Sequence, residues 1–238
     1  VYRRARPPYP DALYERLVEF GVLTPGCRLL EIGAGTGQAT SRLVQTGARV
    51  TAVEPGVRLA EYLTGSVRVT EVIVDTFENA AATGRLSDDG FESVCVATAF
   101  HWLDPVTTLP AIARVLVPGG LLAVWRHVFG DPPVTTPFRH RLAEIVARRE
   151  DSARARQRHR AQFDWTDPLT VNGLFDDVHH EHFRWSVDLS PGQVHDLFST
   201  FSDWEPHEVD EVAAVVDELG GTVTEHYGTT LAIVRSTR

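Results

Sequence analysis

The 238-residue sequence predicts an α/β fold, a mostly parallel sheet with helices on both faces, and three observations carry that expectation. Short apolar, β-branched runs alternate with stretches of helical periodicity, which is the pattern of strand, crossover helix, strand. One such run, Leu29-Leu30-Glu31-Ile32, feeds directly into Gly33-Ala34-Gly35-Thr36-Gly37, a strand-to-helix turn with three glycines. The next, residues 49–53, closes on a second carboxylate, Glu54, followed by Pro55.

The elements follow in chain order. Residues 10–20 carry apolar positions at helical spacing behind a proline, whose missing N–H costs nothing in a first turn. Strand one is expected at 28–32, a crossover helix over about 38–46, and strand two up to Glu54. A short helix at 57–63, strand three within 67–74 and strand four within 91–97 come next. A helix over 105–116 leads through Pro118-Gly119-Gly120 into strand five at 121–127. The second half predicts a long arginine-rich helix over about 137–162, a loop, and a strand at 179–189. Helices at 191–201 and 205–219 then interrupt the sheet as part of a cap before a last strand at 225–234.

The glycine turn is where chemistry is expected. Glycines let the backbone approach a bound nucleoside, and Thr36, Gln38 and the helix that follows offer N–H donors. Glu54 at the end of the second strand can accept hydrogen bonds from a ribose diol. A dinucleotide fold wants G-x-G-x-x-G, with the third glycine beside a pyrophosphate, but Gln38 stands there. Glu31 would repel a pyrophosphate and attract an amino group, so the turn suits a cationic adenosine ligand. A G-x-G alone is common to many strand-to-helix turns; the two acids make the distinction.

At these residues the chain resembles the class I S-adenosylmethionine-dependent methyltransferases, in particular the small-molecule, methyltransferase type 11-like group with an E-x-G-x-G-x-G first motif. Asp75-Thr76-Phe77 matches that family's acid-and-apolar pair flanking the adenine. Ala97-Thr98-Ala99-Phe100-His101-Trp102 matches the segment after strand four, and residues 115–120 the turn into strand five. The resemblance implies a Rossmann-like, seven-stranded, mostly parallel sheet whose antiparallel last strand lies at the edge. It also implies an insertion near strand six that forms a small helical cap. S-adenosylmethionine is the implied cofactor and S-adenosylhomocysteine its product, held by Glu31, Gly33, Ala34, Gly35, Gly37, Glu54, Pro55, Asp75, Thr76, Phe77, Ala97 and Thr98.

The proline-rich, aromatic start of the chain, residues 2–10, cannot be a helix and reads as a lid. In the resembled family such an arm folds over the cofactor, and the matching positions are Tyr2, Arg6 and Tyr9, with Arg6 placed for the cofactor carboxylate. One methyltransferase domain over 1–238 is expected: the arm at 1–10, a cofactor half at 11–136, a cap half at 137–224 and a final strand at 225–238.

Composition narrows the partners. A net charge of −9 opposes binding to a phosphate backbone, so nucleic acid is not an expected partner. No apolar stretch has the length of a membrane span, and residues 1–6 lack a secretion signal, so a cytoplasmic enzyme, monomer or homodimer, is expected. With no methionine in the sequence, an initiator is expected ahead of Val1. Cys27 and Cys95 sit in apolar runs and read as buried thiols. No lysine is present, which rules out lysine Schiff-base chemistry.

Methyl transfer from a sulfonium asks mainly for placement, which can account for roughly 7–11 kcal/mol of the barrier. A base is needed only where the nucleophile keeps its proton. His101, just past strand four at the carboxyl edge of the sheet, is the candidate base; its alternative is to line the pocket with Trp102. Phe100, Trp102, Trp165 and Trp204 are candidates to line an acceptor cavity, or else they fill the core. His179-His180-Glu181-His182 is not expected to bind metal, since only alternate residues of a strand share a face. Arginines 139, 141, 148, 149, 154, 156, 158 and 160 read as a solvated helix face or a surface for acids. The expectation is methylation of a small molecule, with O-methylation favoured. Its rivals are a cyclase or other non-methylating use of the same cofactor, an NAD-dependent oxidoreductase, and a non-catalytic binding module.

Overall fold

The computed structural model describes residues 5–131, 133–149, 167–201 and 203–238. Its elements are α1 (Asp11–Glu19), β1 (Arg28–Ile32), α2 (Thr40–Gln45), β2 (Arg49–Val53), α3 (Val57–Ser66), β3 (Glu71–Ile73), α4 (Phe77–Ala82) and β4 (Phe91–Ala97). A 3-10 turn (Phe100–Trp102) follows, then α5 (Pro105–Val115), β5 (Leu116–Phe129), α6 (Pro137–Ala147), α7 (Asp167–Thr170) and β6 (Phe175–Leu189). The chain ends with α8 (Pro191–Phe198), α9 (Pro206–Glu218) and β7 (Val223–Ser236). The seven strands run in the order β3-β2-β1-β4-β5-β7-β6, and β3 through β5 are parallel.

The residues form two compact units. The larger comprises Pro8–His127, Trp165–Phe183 and Thr229–Arg238; the smaller comprises Val1–Pro7, Val128–Asp164 and Arg184–Gly228. In the larger unit the period of two along each strand sends alternate side chains to opposite faces. Leu30, Ile32, Val94, Val96, Leu122 and Val124 join one core with Phe77 of α4 and Leu109 and Ile112 of α5. Leu29, Cys95, Leu121, Ala123 and Trp125 join the other with Leu13 and Leu17 of α1 and Leu43 of α2. Both faces are therefore covered, which is why these strands read as nearly unbroken apolar runs.

One expectation is corrected. The last strand is antiparallel, but it does not lie at the edge: β7 sits between β5 and β6. Gly119 N donates to Arg238 O at 2.8 Å, and on the other side Thr237 N donates to Leu174 O at 3.0 Å. The reason is compositional. Leu231, Ala232, Ile233 and Val234 of β7 are all buried, whereas β6 carries charged and histidine side chains through its middle, which suit a strand with one unpaired side.

Smaller differences have local causes. β5 starts at Leu116 and not after the glycines, because the pairing with β4 continues through an irregularity of register between Phe91 and Ser93. Thr76, whose hydroxyl accepts from Asn79 N at 3.2 Å, caps α4, a short helix with no separate expectation. The arginine-rich helix is α6, which ends at Ala147, short of its expected span: Arg148 and Arg149 have already left the helix, and residues 150–162 lie outside the described residues.

The smaller unit has its own core, with Phe138, Leu142 and Ile145 of α6 packed among residues of α8 and α9 such as Val194, Leu197, Val212 and Val216. The arginines of α6 and of the residues just after it are paired there. Arg149 forms a two-pronged ion pair with Glu208, at 2.7 and 2.9 Å, and Arg139 pairs with the buried Glu225. Among the described residues no helix is long and apolar enough to cross a membrane.

Candidate functional site

β1 delivers Glu31 to the carboxyl end of the sheet and buries it: its side chain is 1% exposed. Among the described residues neither carboxylate oxygen has a partner at good hydrogen-bond geometry, although Thr40 lies close enough to favour the charged form. Burial, reinforced by the nearby Glu54 and partly opposed by Thr40, pushes its pKa up to about 8. A buried carboxylate with both oxygens unpartnered is costly in an isolated fold. It is, however, well suited to an ammonium group arriving with a ligand, so the residues present fit a cationic nucleoside.

The turn beyond it is fixed by packing. At Gly33 the backbone lies at φ +72°, and a Cβ would come within 2.6 Å of Ala99 Cβ; at Gly37 (φ +82°) it would meet Leu63 Cδ1 at 2.6 Å. Between them Gly35 faces open space, with nothing within 4 Å of where its Cβ would be. Glu54, 6% exposed, holds this turn in place. Its Oε2 accepts from Gly35 N and its Oε1 from Gly56 N, both at 2.8 Å. Each oxygen retains a lone pair for a further donor such as a ribose hydroxyl.

The acid after β3 is tethered within its own element. Asp75 accepts from Thr76 N at 2.8 Å and from Asn79 Nδ2 at 2.7 Å, and Arg85 lies at 3.4 Å. Phe77, expected beside it at the adenine, is placed in the hydrophobic core at 2% exposure, where it anchors α4. Ala34 is buried against Ala52 and Leu63, and Pro55 is exposed at the start of the α3 segment.

The end of β4 holds the backbone strain of the site. Thr98 lies at φ +53°, a conformation that a β-branched residue rarely adopts. Its N–H donates to Trp125 O at 2.8 Å, and its hydroxyl pairs with Tyr9 OH at 2.9 Å and accepts from His127 N at 3.3 Å. Tyr9 sits edge-on to Trp125 and His127, with ring centroids 5.9 and 5.6 Å away. His127 Nδ1 pairs with Thr229 Oγ1 at 3.0 Å. Tyr9→Phe, which removes the hydroxyl from this network, is expected to cost about 1 kcal/mol, a fall in Tm of roughly 2–4 °C by calorimetry.

His101 and Trp102 project from the 3-10 turn beyond β4, their rings 4.8 Å apart, while Phe100 turns inward and is buried. Trp102 is 79% exposed. Partial burial and the charge of Arg126 lower the His101 pKa below its ordinary value, which favours the neutral imidazole. Trp125, Arg126 and His127 were not among the sequence candidates. Their signal was present in Trp-Arg-His, polar groups closing an otherwise apolar strand.

Other candidates fall elsewhere. Arg6 belongs to the smaller unit, where its Nε donates to Thr200 Oγ1 at 2.9 Å and its guanidinium lies 4.4 Å from the Phe201 ring centroid. Trp204, in the same unit, packs edge-on to Phe198 at 4.6 Å beneath the Arg149 guanidinium. Tyr2 and Trp165 lie outside the described residues. The histidines of β6 are turned to separate partners: His179 to Glu181 at 2.9 Å, His180 to Asp177 at 2.5 Å and His182 to Thr230 at 3.1 Å. Cys27 and Cys95 are free, buried thiols.

Comparison with known proteins agrees with this geometry. The family profile described as "Methyltransferase domain" matches residues 30–124. An uncharacterized methyltransferase of Mycobacterium tuberculosis is 35% identical over 204 residues, covering 82% of this chain and 77% of that protein. A candidate type II methyltransferase from Anaeromyxobacter dehalogenans shares the fold at a TM-score of 0.67, with 22% identity over 97% of each chain. The [4+2]-cyclase SpnF shares it at 0.54, with 18% identity over 98% of this chain and 84% of that one. With a relative at this identity and coverage, and the family profile falling on the strands and the glycine turn that carry the two acids, the chain belongs to the class I S-adenosylmethionine-dependent methyltransferases.

Proposed function

We propose that the protein methylates a small-molecule acceptor, with oxygen the favoured nucleophile and S-adenosylmethionine the donor. The observation that carries the donor is Glu31, a buried carboxylate ahead of the glycine turn whose two oxygens, among the described residues, have no partner at good hydrogen-bond geometry. In this reading Glu31 receives the amino group of the donor, Gly33, Gly35 and Gly37 let the nucleoside approach, and the free lone pairs of Glu54 receive the ribose hydroxyls. Asp75 and Thr76 border the adenine, and Ala97 and Thr98 the methionine portion. When bound, the sulfonium supplies an electrophilic methyl carbon; the protein's task is to align the acceptor and exclude water. Titration calorimetry with S-adenosylmethionine and with NAD tests this: binding of NAD in place of the sulfonium donor would overturn it.

His101 is proposed to take the proton of a hydroxyl acceptor. His101→Ala is then expected to leave S-adenosylhomocysteine affinity intact and to lower turnover by about 10²–10⁴. Because the base works only when neutral and its pKa is lowered, the acid limb of the rate profile falls below pH 6.5. Unchanged turnover in the variant, or an acid limb above that pH, would remove His101 from this role.

The likeness to a cyclase keeps a second reading in view, in which the sulfonium is bound without giving up its methyl group. Mass spectrometry of the spent cofactor separates the two. S-adenosylhomocysteine marks methyl transfer, methylthioadenosine marks cleavage at another bond, and an unchanged donor marks a bound cation.

A further inference from the structure

We propose that Arg126, at the carboxyl end of β5 beside His101, is the anchor for a carboxylate on the acceptor. The basis is the company each arginine of the larger unit keeps. Arg16, Arg28, Arg42, Arg85, Arg114 and Arg238 each meet a carboxylate. Arg49 and Arg235 meet backbone carbonyls, and Arg58 and Arg68 are exposed to water. Arg126 alone among them is half-buried and, among the described residues, has no hydrogen-bond or ion-pair partner. Burial lowers its pKa and no acid opposes that.

Its place in the fold is that of a ligand-facing group. Ala97, the last residue of β4, pairs in register with Trp125, so Arg126 lies one residue beyond, at the edge where open α/β sheets receive ligands. Alternation along β5 puts its side chain on the face of Val124, the face that also buries Phe100, next to His101 in the chain. His101 follows β4 and Arg126 lies just past the part of the adjacent β5 that pairs with it, so both groups start from the same edge of neighbouring strands, and the charge of Arg126 helps to lower the His101 pKa. Withdrawing a guanidinium from water without a counter-ion is costly, and a planar carboxylate is the group whose two oxygens match its paired N–H donors. The exposed Trp102 beside His101 offers an apolar wall for the remainder of the molecule. The acceptor class is thus a small carboxylic acid with a planar or apolar body.

Identifying this acid as the methyl acceptor rests on the proposed function, but its binding is read without any donor. The test follows the His101 ring by NMR titration at low salt, with its resonance assigned from His101→Gln, using benzoate and benzamide as probes. Benzoate is expected to raise the His101 pKa, because a carboxylate on Arg126 cancels the nearby charge, and benzamide to leave it in place. Arg126→Gln is expected to raise that pKa without any probe and to weaken benzoate by about tenfold or more, while Arg126→Lys retains part of the response. A His101 pKa unmoved by benzoate, or undiminished benzoate affinity in Arg126→Gln, overturns the proposal. So does a loss confined to S-adenosylhomocysteine affinity, which would give Arg126 to the cofactor instead. A wild-type protein that binds benzoate but not S-adenosylhomocysteine would defeat the methyltransferase reading and leave the anion site standing.

Discussion

Glu31→Gln is expected to weaken S-adenosylhomocysteine binding by about 2–4 kcal/mol, roughly 30- to 1000-fold in Kd by calorimetry. The substitution keeps the shape of the side chain and removes the charge that the ligand ammonium meets at a buried position. Its effect on the free protein has a different sign. With its pKa pushed up to about 8, Glu31 stays protonated in the fold across a range in which the unfolded chain has already ionised it. The unfolded state then binds fewer protons, so stability falls as pH rises from about 4.5 towards 8, by up to about 1.4 kcal/mol per pH unit from this group. Glutamine imitates the protonated form. Melts of the ligand-free proteins are therefore expected to agree below about pH 4.5 and to diverge progressively as pH rises from there towards 8, with the variant the more stable. A wild-type protein that loses no stability over that interval relative to the variant would place Glu31 in a different environment.

Glu54→Ala is expected to act on the fold as well as on binding. Its carboxylate holds Gly35 N and Gly56 N, so one truncation releases both the glycine turn and the start of the α3 segment. Two charge-assisted hydrogen bonds of this kind contribute about 3 kcal/mol or more together, a fall in Tm of roughly 6–12 °C. Glu54→Gln, which keeps one accepting oxygen, is expected to fall between wild type and alanine. The amide resonances of Gly35 and Gly56 report the same loss locally. A normal Tm with normal amide shifts in Glu54→Ala would mean that the turn is held by its glycines alone. The two acids thus separate by experiment: removing the charge of Glu31 harms the complex and relieves the free fold, whereas truncating Glu54 harms both.

These contrasts follow what the sequence could and could not convey. Strands β1 and β4 were legible to the residue because their apolar runs are bounded by a charge or a turn, and the glycine turn was legible because three glycines leave few other uses for the segment. The position of β7 was expected at the edge and lies one strand inside it, although its unbroken apolar run against the charged middle of β6 held the information; strand order is a long-range property that no local period encodes. Within the site, Glu31 and Glu54 were found as acids at strand ends, but the difference between an orphaned carboxylate and one engaged by two backbone amides needs coordinates. Phe77 shows the same limit, since an apolar residue beside an acid fits a pocket wall and a core anchor equally. Arg126 escaped notice for a related reason. Its significance lies in the lack of a counter-ion, which only the three-dimensional neighbourhood reveals.

The central claim, that Glu31 grips the amino group of an adenosine sulfonium, is tested most directly by a two-by-two calorimetric comparison. Wild type and Glu31→Gln are each titrated with S-adenosylhomocysteine and with its analogue lacking the α-amino group. Deleting the amino group is predicted to cost the wild-type protein about a hundredfold in affinity and the variant almost nothing, since the two changes remove the same contact. An equal loss in both proteins would contradict the account.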